Sequence, residues 1–309
     1  MGVSLLCGGC RGGHVIAAVA DSDQAPAAPP AEDGIVASGQ WIVVAVAAAL
    51  AVGSIAFLRR RRWLVLPVRG EADAPDPPDA AAWLIGLFLL QVLAPMVPVM
   101  ALRGAIDFET LGGRAAIQWL SYVAQLPFAA AIVMRLVAVR RLAPMRPAAA
   151  GAGALGLVLA APLILAGSQA ASIVQRLASG AAPPELGHDT LRAIVASRSD
   201  PWAWVVIAAV TVGAPIFEEI AYRGALQGAF RSLDIRPWPT ILLTSAFFLI
   251  MHLGAIPSDA LPSAMTGLAI LSVSLGVLRE RTGGLLAPMV AHSLFNVANL
   301  ALAWASSGG

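Results

Sequence analysis

Lysine is missing from this chain: all twenty basic residues are arginines, which reads as a bias toward GC-rich codons and carries no functional meaning. Charge of either sign is scarce. Asp, Glu, Lys and Arg make up 12% of the 309 residues against 58% hydrophobic residues, and the mean hydropathy is +0.78. Such a composition excludes an ordinary soluble domain. The formal net charge of +2 leaves no basic surplus for a polyanion, so no nucleic-acid partner is expected. Only two cysteines occur, Cys7 and Cys10, in one N-terminal Cys-Gly-Gly-Cys string that closes a small disulfide or stays idle. Cysteine nucleophiles and thiolate metal sites are thereby excluded from the rest of the chain. No internal repeat is detectable, which counts against a proton-coupled transporter.

Long apolar runs are what the chain does have. They fall at about 41–58, 81–102, 115–139, 149–167, 201–230, 238–256, 261–278 and 285–305, each long enough to cross a bilayer as a helix. Proline and glycine punctuate the gaps, as in Ala74-Pro75-Asp76-Pro77-Pro78, Pro183-Pro184 and Gly283-Gly284. The expected fold is all-α: a polytopic membrane helix bundle of about eight transmembrane helices. Residues 1–37 read as a disordered segment, since the apolar run before Asp21 is short, lacks a basic flank and leads into a proline-rich acidic stretch. Residues 38–170 read as accessory transmembrane helices, 171–200 as an external loop and 201–305 as the functional core. His188 falls in the third of these segments and reads as solvated; His14 falls in the first, to which no function is given.

The arginines set an orientation. If residues 59–80 face the cytoplasm, that side holds Arg59 to Arg62, Arg69, Arg140, Arg141, Arg146, Arg223, Arg231, Arg236, Arg279 and Arg281. The other side holds Arg11, Arg103, Arg114, Arg176, Arg192 and Arg198. The positive-inside rule then places both termini outside, with the plasma membrane of a bacterium as the expected location.

Within this apolar background the polar residues are informative, because an ionisable group at the bilayer centre costs about 2.5–3.5 kcal/mol on insertion scales. Glu218, Glu219 and Arg223 share one span, His252 ends another one turn after Phe248, and His292 and Asn296 share a face of the last. Glu219 and Arg223, four residues apart, suit a salt bridge, while Glu218 diverges from Glu219 by about 100° around the helix. At about 1.5 Å per residue, Glu218, His252 and Asn296 lie roughly 17–21 Å from their cytoplasmic helix ends, with His292 about 10 Å in. These depths let the groups meet in one cavity toward the cytoplasmic leaflet. Each motif alone has a bland reading, as a helix-surface pair, a core histidine or bundle glue; Gln91, Gln118 and Arg135 keep that reading, and Gly267 and Gly276 read as close-packing positions.

The strings Glu218-Glu219-Ile-Ala-Tyr-Arg223, Phe248-Leu-Ile-Met-His252 and His292-Ser-Leu-Phe-Asn296 resemble the three signature motifs of the CAAX-prenyl-protease and bacteriocin-processing (CPBP, or Abi) family of intramembrane endopeptidases. The likeness covers about residues 200–305 and implies a CAAX-protease-like helical core. It also implies Glu218 as general base, His252 as the partner of the attacking water, and His292 with Asn296 as oxyanion donors. Glu219, Arg223 and Phe248 become their support. The implied substrate is a peptide or membrane-protein tail, cut near the cytoplasmic face. No cofactor is required in this reading. A zinc version would use Glu218, His252 and His292 as ligands, although no His-Glu-x-x-His string occurs and the three come from separate helices. The competing function is a non-catalytic membrane protein for bacteriocin immunity or partner binding, with the polar residues as structural glue.

Overall fold

A computed structural model describes residues 33–66, 77–139, 142–180, 189–197 and 199–306. Among them there is no β-strand beyond one isolated bridge between Arg103 and Ile106. The helices are α1 (Asp33–Arg60), α2 (Pro77–Phe88), α3 (Ala94–Ala101), α4 (Leu111–Ala138), α5 (Pro147–Ser179) and α6 (Asp189–Ala196). They continue as α7 (Trp202–Ala208), α8 (Ala214–Glu219), α9 (Gln227–Ser232), α10 (Pro237–Ile250), α11 (Leu261–Thr282) and α12 (Leu286–Ser306). Counted as continuous spans, eight are long and apolar enough to cross a membrane. The outward faces carry exposed Trp41, Val52, Ile85, Met100, Val123, Met134, Val158, Leu242 and Leu302, a surface that only lipid tails solvate favourably.

Local chemistry sets the helix ends. The Thr110 hydroxyl caps α4 by accepting from the Gly113 N–H at 3.0 Å. Proline is the first residue of α5 and α10 and the second of α11. Gly180 and Gly283 close α5 and α11 at φ +71° and +67°, a left-handed turn that glycine adopts without steric cost.

Two boundaries differ from those read in the sequence. α1 starts at Asp33, inside the segment expected to be disordered; Cys7, Cys10, His14 and the other residues before 33 lie outside the described residues, as does His188. α5 runs on to Ser179, through the first part of the expected external loop. Hydropathy falls after Gly167, but no proline or glycine interrupts residues 168–179, so the helix continues until Gly180. At about 50 Å, its 33 residues outreach the hydrocarbon core.

The fifth span, Trp202–Ser232, is the axis of the bundle: 56% of its most apolar window is buried, against at most 39% for any other span. Trp83 and Leu90 from the second span, Tyr122, Ile132 and Leu136 from α4, Phe248 from α10 and Leu285 pack around its Phe217, Ile220, Tyr222 and Leu226. A second cluster joins α5, α11 and α12 through Ile164, Leu271, Leu275 and Ala291. Gly276 lets α10 approach α11, since a Cβ there would stand 2.8 Å from Ile241 Cγ2. Gly213 seats the Tyr122 ring where any Cβ would overlap it. Gly213→Ala is therefore expected to cost about 1–3 kcal/mol. The same change at Gly151, which faces open space, serves as control; equal melting temperatures for the two purified variants would contradict this packing.

Candidate active site

The fifth span is not a regular helix. π-Helical turns at Ala209–Gly213 and Ile220–Leu226 flank α8, the six residues that end in Glu218 and Glu219. Such turns leave backbone groups seeking partners and are frequent at functional sites. In the first turn the Ala214 N–H reaches back five residues to the Ala209 carbonyl. The same spacing would pair residue 215 with Val210, but Pro215 has no N–H to give. Asn296 Nδ2 donates to that Val210 carbonyl instead, at 2.9 Å. The Tyr122 hydroxyl donates to the Ala209 carbonyl at 3.1 Å, and its ring stacks on Phe217 at 4.9 Å. Gln91 Nε2, also from a neighbouring span, meets the Phe217 carbonyl at 3.5 Å. The irregular backbone before the two glutamates is thus held by side chains from three other spans.

Glu219 is fully buried, and its Oε1 accepts from two groups. Arg223 Nη1 lies 3.1 Å from it and His292 Nδ1 2.9 Å. Arg223 is fully buried as well. Its Nη2 donates to the Ser272 hydroxyl at 2.8 Å and to the Ser272 carbonyl at 3.0 Å, and its guanidinium lies 4.9 Å from the centre of the Phe248 ring. Its own carbonyl accepts from Arg279 Nε at 3.2 Å. The cation is therefore matched by an anion, two neutral acceptors and a π-face, the combination a buried charge needs.

Glu218, also buried, presents Oε2 at 3.9 Å from His292 Nε2. The two adjacent carboxylates thus address opposite nitrogens of one imidazole. The Nδ1 edge of the ring faces Glu219 and the Nε2 edge faces Glu218. His252, half-buried, bonds through Nδ1 to the Phe248 carbonyl at 2.7 Å, which likewise leaves Nε2 as its outward nitrogen. Glu218 lies within electrostatic reach of both His252 and His292. Phe248 is the common wall: its ring centre is 4.3 Å from His252, 6.0 Å from His292 and 5.1 Å from Tyr222.

The structure gathers Glu218, Glu219, Arg223, Phe248, His252 and His292 around one buried point. Asn296 stands one turn further along α12, and the described geometry gives it a backbone partner in the first π turn. Two features escape sequence reading. Glu219 serves His292 as well as Arg223, and Ser272 anchors Arg223 from α11; a lone serine in an apolar span carries no signal of this. A zinc ion would need three converging ligands. Among the described residues no three His, Cys, Asp or Glu side chains are grouped to hold a metal.

Residues 200–298 match the family model described as Rce1-like, type II CAAX prenyl endopeptidase Rce1-like. No curated protein and no solved structure matches the chain.

Proposed function

With an Rce1-like CAAX endopeptidase domain at residues 200–298 of an integral multi-pass membrane protein, we propose that this protease hydrolyses a peptide bond within the bilayer, near the cytoplasmic face. The observation that carries the reading is the convergence of Glu218 and Glu219 on His292, where Glu218 Oε2 stands 3.9 Å from Nε2 and Glu219 Oε1 2.9 Å from Nδ1. A mere structural glue needs one ion pair, and Glu219 with Arg223 already provides it.

Glu218 acts as the general base. It takes a proton from a water that His252 Nε2 orients, and the resulting hydroxide adds to the scissile carbonyl carbon. His292 Nε2 and the second N–H of the Asn296 amide donate to the oxyanion. Collapse of the tetrahedral intermediate breaks the C–N bond, and Glu218 returns its proton to the leaving amine. Glu219 and Arg223 hold the imidazole and the irregular span in register; both act through other groups. No step here passes through a metal.

We take the substrate class to be a peptide or membrane-protein tail, the location to be a bacterial plasma membrane and, from the positive-inside rule, both termini to lie outside. Comparing membrane-peptide termini between cells with the wild-type protein and cells with Glu218→Gln tests the activity and identifies the substrate. Wild-type-specific termini are expected, and identical profiles would count for a non-catalytic role. Cleavage is expected to survive a chelator; loss that added zinc restores would overturn the metal-free mechanism.

A further inference from the structure

A second feature lies on the far side of α11 from the catalytic helix. There α1, α5, α10 and α11 enclose a groove of about 320 Å³. Its lining runs from Gly156 to Leu163 on α5 and from Ala269 to Leu278 on α11, about 10–14 Å along the helix axes. This shape suits a chain rather than a compact ligand. The lining offers no polar partner: the Ser274 hydroxyl is spent on the Ile270 carbonyl at 2.8 Å, and the Trp238 indole N–H meets the Leu64 carbonyl at 3.2 Å. With both donors engaged, the lining has little to hold a polar ligand or an ordered water.

Charge is concentrated at one end. Leu58 and Trp63, both lining the groove, bracket Arg59, Arg60, Arg61 and Arg62, all exposed. Arg281 joins them: Nη1 donates to the Arg62 and Val65 carbonyls at 3.2 and 3.1 Å, and the guanidinium lies 5.6 Å from the centre of the Trp63 ring. Among the described residues no carboxylate forms a salt bridge with any of these five arginines. Arg62 also sits at φ +55°. It closes α1 with the Trp63 N–H on the Leu58 carbonyl at 2.8 Å and the Arg62 N–H on the Arg59 carbonyl at 3.0 Å, a position that glycine occupies at lower steric cost. The chain carries 29 glycines, yet an arginine stands here.

We propose that this groove is a binding site for an anionic phospholipid, with one acyl chain between α1, α5 and α11 and the phosphate against Arg59–Arg62 and Arg281. The cations sit at the end of the first span, where lipid phosphates lie, and such clusters attract anionic headgroups. The bound lipid would also support the catalytic helix. α11 is the shared wall: Ala269, Ile270, Val273 and Leu278 face the groove, while Ser272 and Arg279 hold Arg223 on the opposite side.

Lipid binding to the purified full-length protein, followed by native mass spectrometry with phosphatidylglycerol or phosphatidylcholine of the same acyl chains, tests this independently of any cleavage assay. Phosphatidylglycerol is expected to bind about tenfold more tightly. Arg59→Gln with Arg60→Gln and Arg61→Gln should erase that preference, and Ala269→Phe, which fills the groove, should weaken binding of both lipids by a similar factor. Leu163→Trp serves if Ala269→Phe does not fold. Equal binding of the two lipids, or tighter binding of a farnesylated peptide than of phosphatidylglycerol, would overturn the assignment. So would full retention of binding in the filled groove, since the arginines would then act as surface charge alone.

Discussion

Glu218→Gln is expected to leave a folded protein that no longer cuts its substrate. Glutamine keeps the volume and hydrogen-bonding capacity of the buried side chain, and only the ability to accept a proton is lost. Removing a positioned general base costs about 10²–10⁴-fold in rate. Because Glu218 is not the residue paired with Arg223, the ion pair survives the change, and the melting temperature of the purified variant should stay close to wild type. Glu219→Gln should behave differently, lowering both stability and rate, because Glu219 Oε1 holds Arg223 and His292 together. The contrast separates a chemical role from a supporting one at adjacent positions. Near wild-type cleavage by Glu218→Gln, with the same membrane-peptide termini, would end the assignment of Glu218 as base.

Arg223→Ala should have the largest effect on folding. Removing one partner of a buried ion pair costs about 3–5 kcal/mol, because the other charge is left uncompensated. Here the loss goes further: Ser272 forfeits its donor and Phe248 its cation, and a cavity opens where a fully buried side chain stood. Yield of membrane-inserted protein and its melting temperature should both fall sharply. Combining Arg223→Met with Glu219→Gln removes both charges and should recover much of that yield, since well-packed neutral pairs often replace buried ion pairs without loss. Normal yield and normal cleavage in Arg223→Ala would contradict the supporting role given to the pair.

Much of this was legible in the sequence because lipid makes the requirements local. A span needs about 20 apolar residues whatever its neighbours are, so all eight were visible, and polar residues inside them stood out against the background. Glu219 and Arg223, four apart, were legible as a pair for the same reason. The end of α5 was not, because hydropathy reports the edge of the bilayer and not the end of the helix; Gly180 sets the latter.

The sequence alone determined the class of fold, the eight spans and the three polar strings, all properties of residues within one or two turns of each other. Tertiary structure decided the pairings across the bundle. His292 reaches Glu219 across 73 residues, Arg223 reaches Ser272 across 49, and Asn296 reaches the Val210 carbonyl across 86. Each depends on how two helices pack and where the fifth span departs from α-helical spacing. Pro215 helps create the vacancy that Asn296 fills, yet only the fold brings α12 close enough to fill it. Side-chain chemistry and spacing can be read along a chain, whereas the partner of a buried hydrogen bond is chosen by the geometry of the elements that enclose it.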